Sequence, residues 1–341
     1  IDRAQEAGIA PTLCTYHKTV MGMMEAGVLH APRLAVTTSC ACDGNLSTFR
    51  QLGQRMDVPM VLLDVPYDSD DASVDYLADQ LHELTRTLEE LTGVPFDENR
   101  LSHLLEVERE TNALAWEFMR LQAEHFYPAE FIHHLFFVLA MQLSAGSEKL
   151  RDLLRFMVDD IKRAPRLQGD KILWVHLMPY YQQSLKAAFD YSPAHQIVAV
   201  DMAFCTMSDL ADADPFRALA KKLIGNAMNG PYERKLALVD RLLDATHADG
   251  VIHFCHWGCK QSAGGSALLR EHLHEAGVPL LQLDGDGIDE RNSHDGQIKT
   301  RLEAFFEVLE AKRAESDAQS GASSGESAAQ SGSVEAKGGA Q

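Results

Sequence analysis

The chain comprises 341 residues, 45% of them hydrophobic and 24% charged, with a formal net charge of −19. A chain this acidic carries no basic stripe to neutralise phosphates, which argues against nucleic-acid binding and against docking on an anionic membrane. The length suits two α/β domains with a helical connection.

The most apolar stretch, Phe131 to Leu143, is shorter than a membrane span, contains His133 and His134, and reads as a core helix. No secretory signal is visible, and six cysteines in a chain of this size do not resemble a secreted disulfide scaffold. The expected location is therefore cytoplasmic. The start at Ile1, with only a short remnant before Cys14, raises the expectation that a segment completing the first domain is missing.

In chain order, an amphipathic run Cys14–Leu29 leads to a strand over Leu34–Thr38, a helix over Leu46–Met56 and a strand over Met60–Leu63. From Asp70 to Arg163 the apolar residues fall at helical spacing (Leu77, Leu81, Leu84; Leu101, Leu104, Leu105; Leu150, Leu153, Leu154, Met157). Strands follow over Ile172–His176, Gln196–Val200, Val251–Phe254 and Leu280–Leu283, with helices over Tyr232–Thr246 and Ser266–Ala276. Short apolar runs alternating with amphipathic ones predict parallel sheets built from βαβ units. The expected division is a partial first α/β domain over 1–68, a helical segment over 69–168, a second α/β domain over 169–313 and a disordered tail over 314–341, which has hardly any large apolar residue.

The cysteines are Cys14, Cys40, Cys42, Cys205, Cys255 and Cys259. Cys40 and Cys42 follow the first strand and precede a helix opened by Asp43, Gly44 and Asn45. Cys255 ends the strand Val251–Phe254, and Cys259 lies just before a helix. Cys205 closely follows another strand, and Cys14 opens an amphipathic run. In a parallel sheet the carboxyl ends of all strands share one edge, where α/β proteins bind ligands. Helix N-termini there favour the thiolate that metals require. A lone buried cysteine is more often a small hydrophobe, and that reading has about even weight for Cys14 and Cys205 taken alone. It is weaker for the Cys40/Cys42 and Cys255/Cys259 pairs, which are flanked by Gly, Asp or His.

A zinc site could be assembled on paper from His253, Cys255, His256 and Cys259, but His253 lies inside a strand and faces a covered side of the sheet. The histidines read better as donors behind the ligands or as packed core groups, and iron–sulfur is favoured over zinc. Asp284-Gly285-Asp286-Gly287 reads as a turn, and Ser262 to Ser266 as a close-packed helix start. No P-loop or dinucleotide fingerprint occurs in a strand–helix context.

At these same junctions the sequence resembles the 2-hydroxyacyl-CoA dehydratase family, which includes benzoyl-CoA reductase subunits and double-cubane-cluster proteins. The resembling segments are Cys14-Thr-Tyr-His-Lys-Thr19, Thr38-Ser-Cys-Ala-Cys-Asp43, Asp201-Met-Ala-Phe-Cys205, Asp214 to Lys222 and Asn229-Gly-Pro231. The stretch Asp249-Gly-Val-Ile-His-Phe-Cys-His-Trp-Gly-Cys-Lys-Gln-Ser262 is the most specific, followed by Asp284-Gly-Asp286, Arg291-Asn292 and Thr300 to Phe305.

The resemblance implies an iron–sulfur subunit with two Rossmann-like domains and a helical linking segment. It implies single-electron delivery from a separate ATP-dependent iron–sulfur activator protein, either for low-potential reduction or for radical dehydration of a 2-hydroxyacyl-CoA thioester. It also places all six cysteines among the cofactor-binding, metal-ligating residues. A single 4Fe-4S cluster needs about three thiolates and a double-cubane 8Fe-9S cluster about six. The count of six, with the His-Trp-Gly-Cys stretch, favours the double cubane, whose proteins are homodimers; a dehydratase subunit would form a heterodimer. The alternative from another class is a zinc-stabilised, non-catalytic binding or assembly protein.

Overall fold

The computed structural model describes the backbone of residues 1–208 and 210–331, and the side chains of that span as far as Glu315. The first sheet has two parallel strands, β1 (Ala35–Thr38) and β2 (Met60–Leu63), in register from Ala35↔Met60 to Thr38↔Leu63. Helix α1 (Asp2–Glu6) and helix α2 (Thr15–Glu25) precede them, and α3 (Asp43–Met56) crosses between them. The second sheet has four parallel strands: β3 (Asp170–Val175), β4 (His195–Val200), β5 (Gly250–His256) and β6 (Leu280–Gly285), in the order β4-β3-β5-β6. The predicted α/β class with parallel sheets is met. The match to two Rossmann-like domains goes no further than that, since the described sheets have two and four strands.

The strand order locates a ligand crevice. From β3 the chain moves outward to β4 on one side; it then returns to β5 and continues to β6 on the other. Connections diverge between β3 and β5, and the carboxyl ends of strands at such a reversal leave an uncovered groove. β5 is buried over its whole length, as a strand covered on both faces must be.

Four long helices fill the middle of the chain: α4 (Asp71–Thr92), α5 (Glu98–Glu124), α6 (Phe131–Leu143) and α7 (Glu148–Ile161). Asp70 starts α4 by accepting the Ser73 amide at 2.8 Å, and Asp97 starts α5 by accepting that of Arg100 at 3.0 Å. Gly93 ends α4 in the left-handed conformation (φ 71°). These helices do more than link. Phe118, Met119, Phe131, Leu154 and Ile161 share one core with Ile172, Leu173, Trp174, Val251, Ile252 and Phe254 of the second sheet. Each such side chain contributes about 1.5–3 kcal/mol by leaving water.

The second half of the chain supplies α8 (Gln183–Phe189), α9 (Pro215–Ile224), α10 (Glu233–Thr246), α11 (Lys260–Ala263), α12 (Ser266–Glu275) and α13 (Asp295–Ser331). Asp214 caps α9 by accepting the Phe216 and Arg217 amides at 2.8 and 3.4 Å, with Pro215 at the first helical position. α9 then reaches back to α4: Phe216, Ala220 and Ile224 pack with Leu63, Val74, Leu77 and Leu81. Arg234 clamps this return by donating to the carbonyls of Tyr67, Asn229 and Ile224.

The backbone of α13 stays helical beyond Ala314, to Ser331, where the sequence predicts a disordered tail. Ala is the strongest helix former in this Ser- and Ala-rich stretch, and adding residues to an existing helix avoids a new nucleation cost. Residues 332–341 lie outside the described residues. No helix among the described residues is long and apolar enough to cross a membrane.

Candidate cysteine–histidine metal centre

Three of the six cysteines are helix N-caps. Cys14 caps α2, Cys42 caps α3 and Cys259 caps α11, and none of the three spends its side chain on capping its helix. They come from distant parts of the chain yet stand close enough that charge on one opposes ionisation of another, over all three pairings. The loop after β5 makes this possible. Gly258, at φ +73°, lies against the chain at Cys14, where a Cβ would stand 2.6 Å from both the Cys14 nitrogen and the Thr12 carbonyl.

Each N-cap cysteine has its own histidine. The Nε2 atoms of His256, His17 and His176 lie 3.2, 3.4 and 3.2 Å from the sulfurs of Cys14, Cys42 and Cys259. Burial holds all three imidazoles below their ordinary pKa, so they are neutral near pH 7.

Their surroundings fix them in place. The Gly287 amide donates to His256 Nδ1 at 2.9 Å, and Thr48 Oγ1 stands 3.1 Å from His17 Nδ1. His176 follows the end of β3 at φ +78°, and its amide donates to Asp201 at 2.7 Å. Asp201 in turn accepts from Lys235, and both residues are buried. Burial, opposed by charge on Cys259, pulls the Lys235 ammonium down to about 7, and that ammonium is in direct contact with the Asp201 carboxylate.

The remaining cysteines lie around this group. Cys255 pairs with Asp284 across the β5–β6 ladder, and charge on Cys259 opposes its ionisation. Cys205 and Cys40 are both buried and charge-coupled to each other; the Cys205 thiol donates to the Met202 carbonyl at 3.3 Å. The structure thus brings Cys14, Cys42 and Cys259 together, keeps Cys255 next to Cys259, and sets Cys40 and Cys205 as a neighbouring pair.

The expected thiolate-favouring effect of helix starts is outweighed. Burial pushes the Cys14, Cys40 and Cys255 thiols up to about 11 and Cys205 to about 12, and raises Cys259 as well. Removal from water costs the charged form more than the helix-end amides return to it.

Asp286, after β6, is a second anionic group at this edge, besides Asp201. Burial alone would raise its carboxyl; hydrogen bonds from Thr15, the Asp289 and Ile288 amides and Asn292 outweigh that and hold it below its ordinary value. His253, which a zinc reading would recruit, is buried inside β5 with neither ring nitrogen hydrogen-bonded. Among the described residues, no three His, Cys, Asp or Glu side chains gather tightly enough to hold one metal ion. A cavity of about 490 Å³ lies elsewhere, at the start of β4 beside His195, Phe306 and Lys299.

The family model for 2-hydroxyglutaryl-CoA dehydratase, D-component, matches residues 1–309. The chain belongs to this D-component family. D-component relatives include the (R)-phenyllactyl-CoA dehydratase alpha subunit of Clostridium sporogenes, 21% identical over 92% of this chain and 80% of that protein. The (R)-2-hydroxyisocaproyl-CoA dehydratase alpha subunit of Clostridioides difficile is 21% identical over 91% of this chain and 80% of its own. A benzoyl-CoA reductase component from Thauera aromatica is 23% identical over the same shares. The chain is thus an enzyme component, and its family comprises dehydratase and reductase subunits.

His17 and His176 went unrecognised in the sequence as partners of cysteine. The available signal was position: His176 directly follows a strand end, and His17 lies within the first turn after Cys14.

Proposed function

We propose that this chain is the iron–sulfur component of a low-potential dehydratase or reductase acting on a CoA thioester. On this reading it takes single electrons from a separate ATP-dependent activator protein and works beside a second subunit. The observation that carries the proposal is the meeting of three N-cap cysteines at the switch-point edge of the second sheet, each against an imidazole.

The donor set fits an iron–sulfur cluster. It is all thiol, the soft donor such clusters favour. Each sulfur of a four-iron cluster binds a different iron, so the sulfurs stand further apart than ligands of a single ion. Cys14, Cys42 and Cys259 would hold one four-iron unit, and when bound it would supply single-electron transfer at low potential. The chain's own part is ligation, exclusion of water by the buried His176 and His256 and the half-buried Tyr16 ring against His256, and hydrogen bonding to sulfur. Because burial raises the Cys14 and Cys259 thiols, loading releases their protons.

Cys40, Cys205 and Cys255 supply the thiols for a second unit, and the count of six favours the double cubane. The separate grouping of the three N-cap cysteines, and the dehydratase names of the relatives, favour a single 4Fe-4S cluster as the second reading. Iron and sulfide analysis after anaerobic reconstitution separates the two, with about eight irons per chain expected for the double cubane and about four for the single cluster. Cys42→Ser or Cys259→Ser should lose most iron under either reading, whereas Cys205→Ser should do so only under the first. Zinc without sulfide, or no metal uptake, would overturn both.

A further inference from the structure

We propose that His256, His17 and His176 are positioning residues that each donate an Nε2–H hydrogen bond to one N-cap cysteine sulfur, and that together they raise the reduction potential of the cluster those cysteines would hold. The inference rests on the ligand roles proposed above and adds a function for residues outside the ligand set.

The geometry dictates the direction of the bond at His256. An imidazole nitrogen that accepts a hydrogen bond carries no proton, so the ring proton is on the other nitrogen. At His256 the Gly287 amide donates to Nδ1, so the proton must reside on Nε2, which faces Cys14 at 3.2 Å. At His17, Thr48 Oγ1 stands 3.1 Å from Nδ1 and Cys42 sulfur 3.4 Å from Nε2; on the proposal the hydroxyl donates to Nδ1 and Nε2–H faces the sulfur. At His176, Nε2 lies 3.2 Å from the Cys259 sulfur; once ligated, that thiolate would have no proton to give, and the nitrogen would be the donor. Three elements far apart in sequence thus deliver the same contact to three sulfurs. That is the arrangement expected when the contacts serve one object that all three sulfurs share.

A donor aimed at sulfur stabilises the extra negative charge that arrives on reduction, and does so more strongly in a water-poor site. Removing a donor should therefore lower the midpoint potential. His253, on the same strand as His256 but with neither nitrogen bonded to any group, is the internal control.

The test is an EPR-monitored redox titration of reconstituted full-length protein carrying His256→Leu, His17→Leu or His176→Leu, with His→Gln at each site to restore an N–H donor. The expected result is a lowered midpoint in the Leu variants, recovery toward the parent in the Gln variants, and no shift in His253→Phe. If the Leu variants load fully and keep the parental midpoint, the inference is overturned. Should the Leu variants fail to load, loading of the Gln variants with the parental midpoint supports it, and failure of those as well overturns it. One readout needs no cluster: ring-¹⁵N NMR of the apo-protein must show His256 and His17 as Nε2–H tautomers, and Nδ1–H tautomers would refute the inference. Absence of iron in the parent protein would instead count against the proposed function, so the two failures are distinguishable.

Discussion

Gly258 and Cys14 touch backbone to backbone: a Cβ on Gly258 would stand 2.6 Å from the Cys14 nitrogen. With φ at +73°, the glycine also occupies a conformation that costs an L-residue about 1 kcal/mol. This contact seats the loop bearing Cys259 against the start of α2 and brings their two sulfurs together. Gly258→Ala should therefore destabilise the apo-protein by about 2 kcal/mol or more, combining backbone strain with a displaced loop. Urea denaturation measures the loss. The iron content of the variant should fall more than its helical circular dichroism, because the loop moves while the sheets remain.

His253 gives a pH prediction. Burial pushes its imidazole down to about 4, against 6.5 for the free group. The unfolded chain takes up a proton near 6.5 while the folded chain resists until about 4, so stability falls as pH drops through that window. His253→Phe removes two unpartnered nitrogens at similar volume. It should stabilise the protein at pH 7 by about 1 kcal/mol and flatten the loss at pH 5 by about 2 kcal/mol. Urea midpoints at the two pH values test this; a variant less stable than the parent at both would mean that the ring has a partner after all.

Asp201 and Lys235 form a buried ion pair behind His176. Asp201→Asn and Lys235→Met should each cost about 3–5 kcal/mol, since either leaves a buried charge without its counter-charge. The double variant should cost clearly less than the sum. A double-mutant cycle by chemical denaturation gives the coupling, and simple additivity would mean that the pair contributes nothing specific.

Much of this architecture was legible beforehand because periodicity reports burial directly. Met60–Leu63 is a strand over the predicted residues, and Glu233–Thr246 differs from the helix predicted there by one residue. Gly250–His256 runs longer than the predicted Val251–Phe254 because the ladder with β6 continues through Cys255 and His256, both buried. The cysteines could be assigned to one edge because strand direction is fixed in a parallel sheet.

Their grouping was not legible. Cys14 meets His256 across 242 positions, and His17, three residues after Cys14, serves Cys42 instead. Nor was the balance at the thiols, where helix starts and burial act in opposite directions and only the depth of each sulfur decides between them. The role of α9 was equally hidden, since nothing in its local pattern says which sheet it covers.

That return of α9 to α4 bears on how the protein is made. The apolar wall against β2 and α4 stays open until Phe216 to Ile224 have been synthesised, and the last of the three N-cap thiols, Cys259, emerges later still. The amino-terminal third of the nascent chain must therefore wait, incompletely packed, for most of translation. Fragments ending before Pro215 should accumulate as insoluble or chaperone-bound material. Metal insertion would then be a late event of biogenesis, performed on a nearly finished chain.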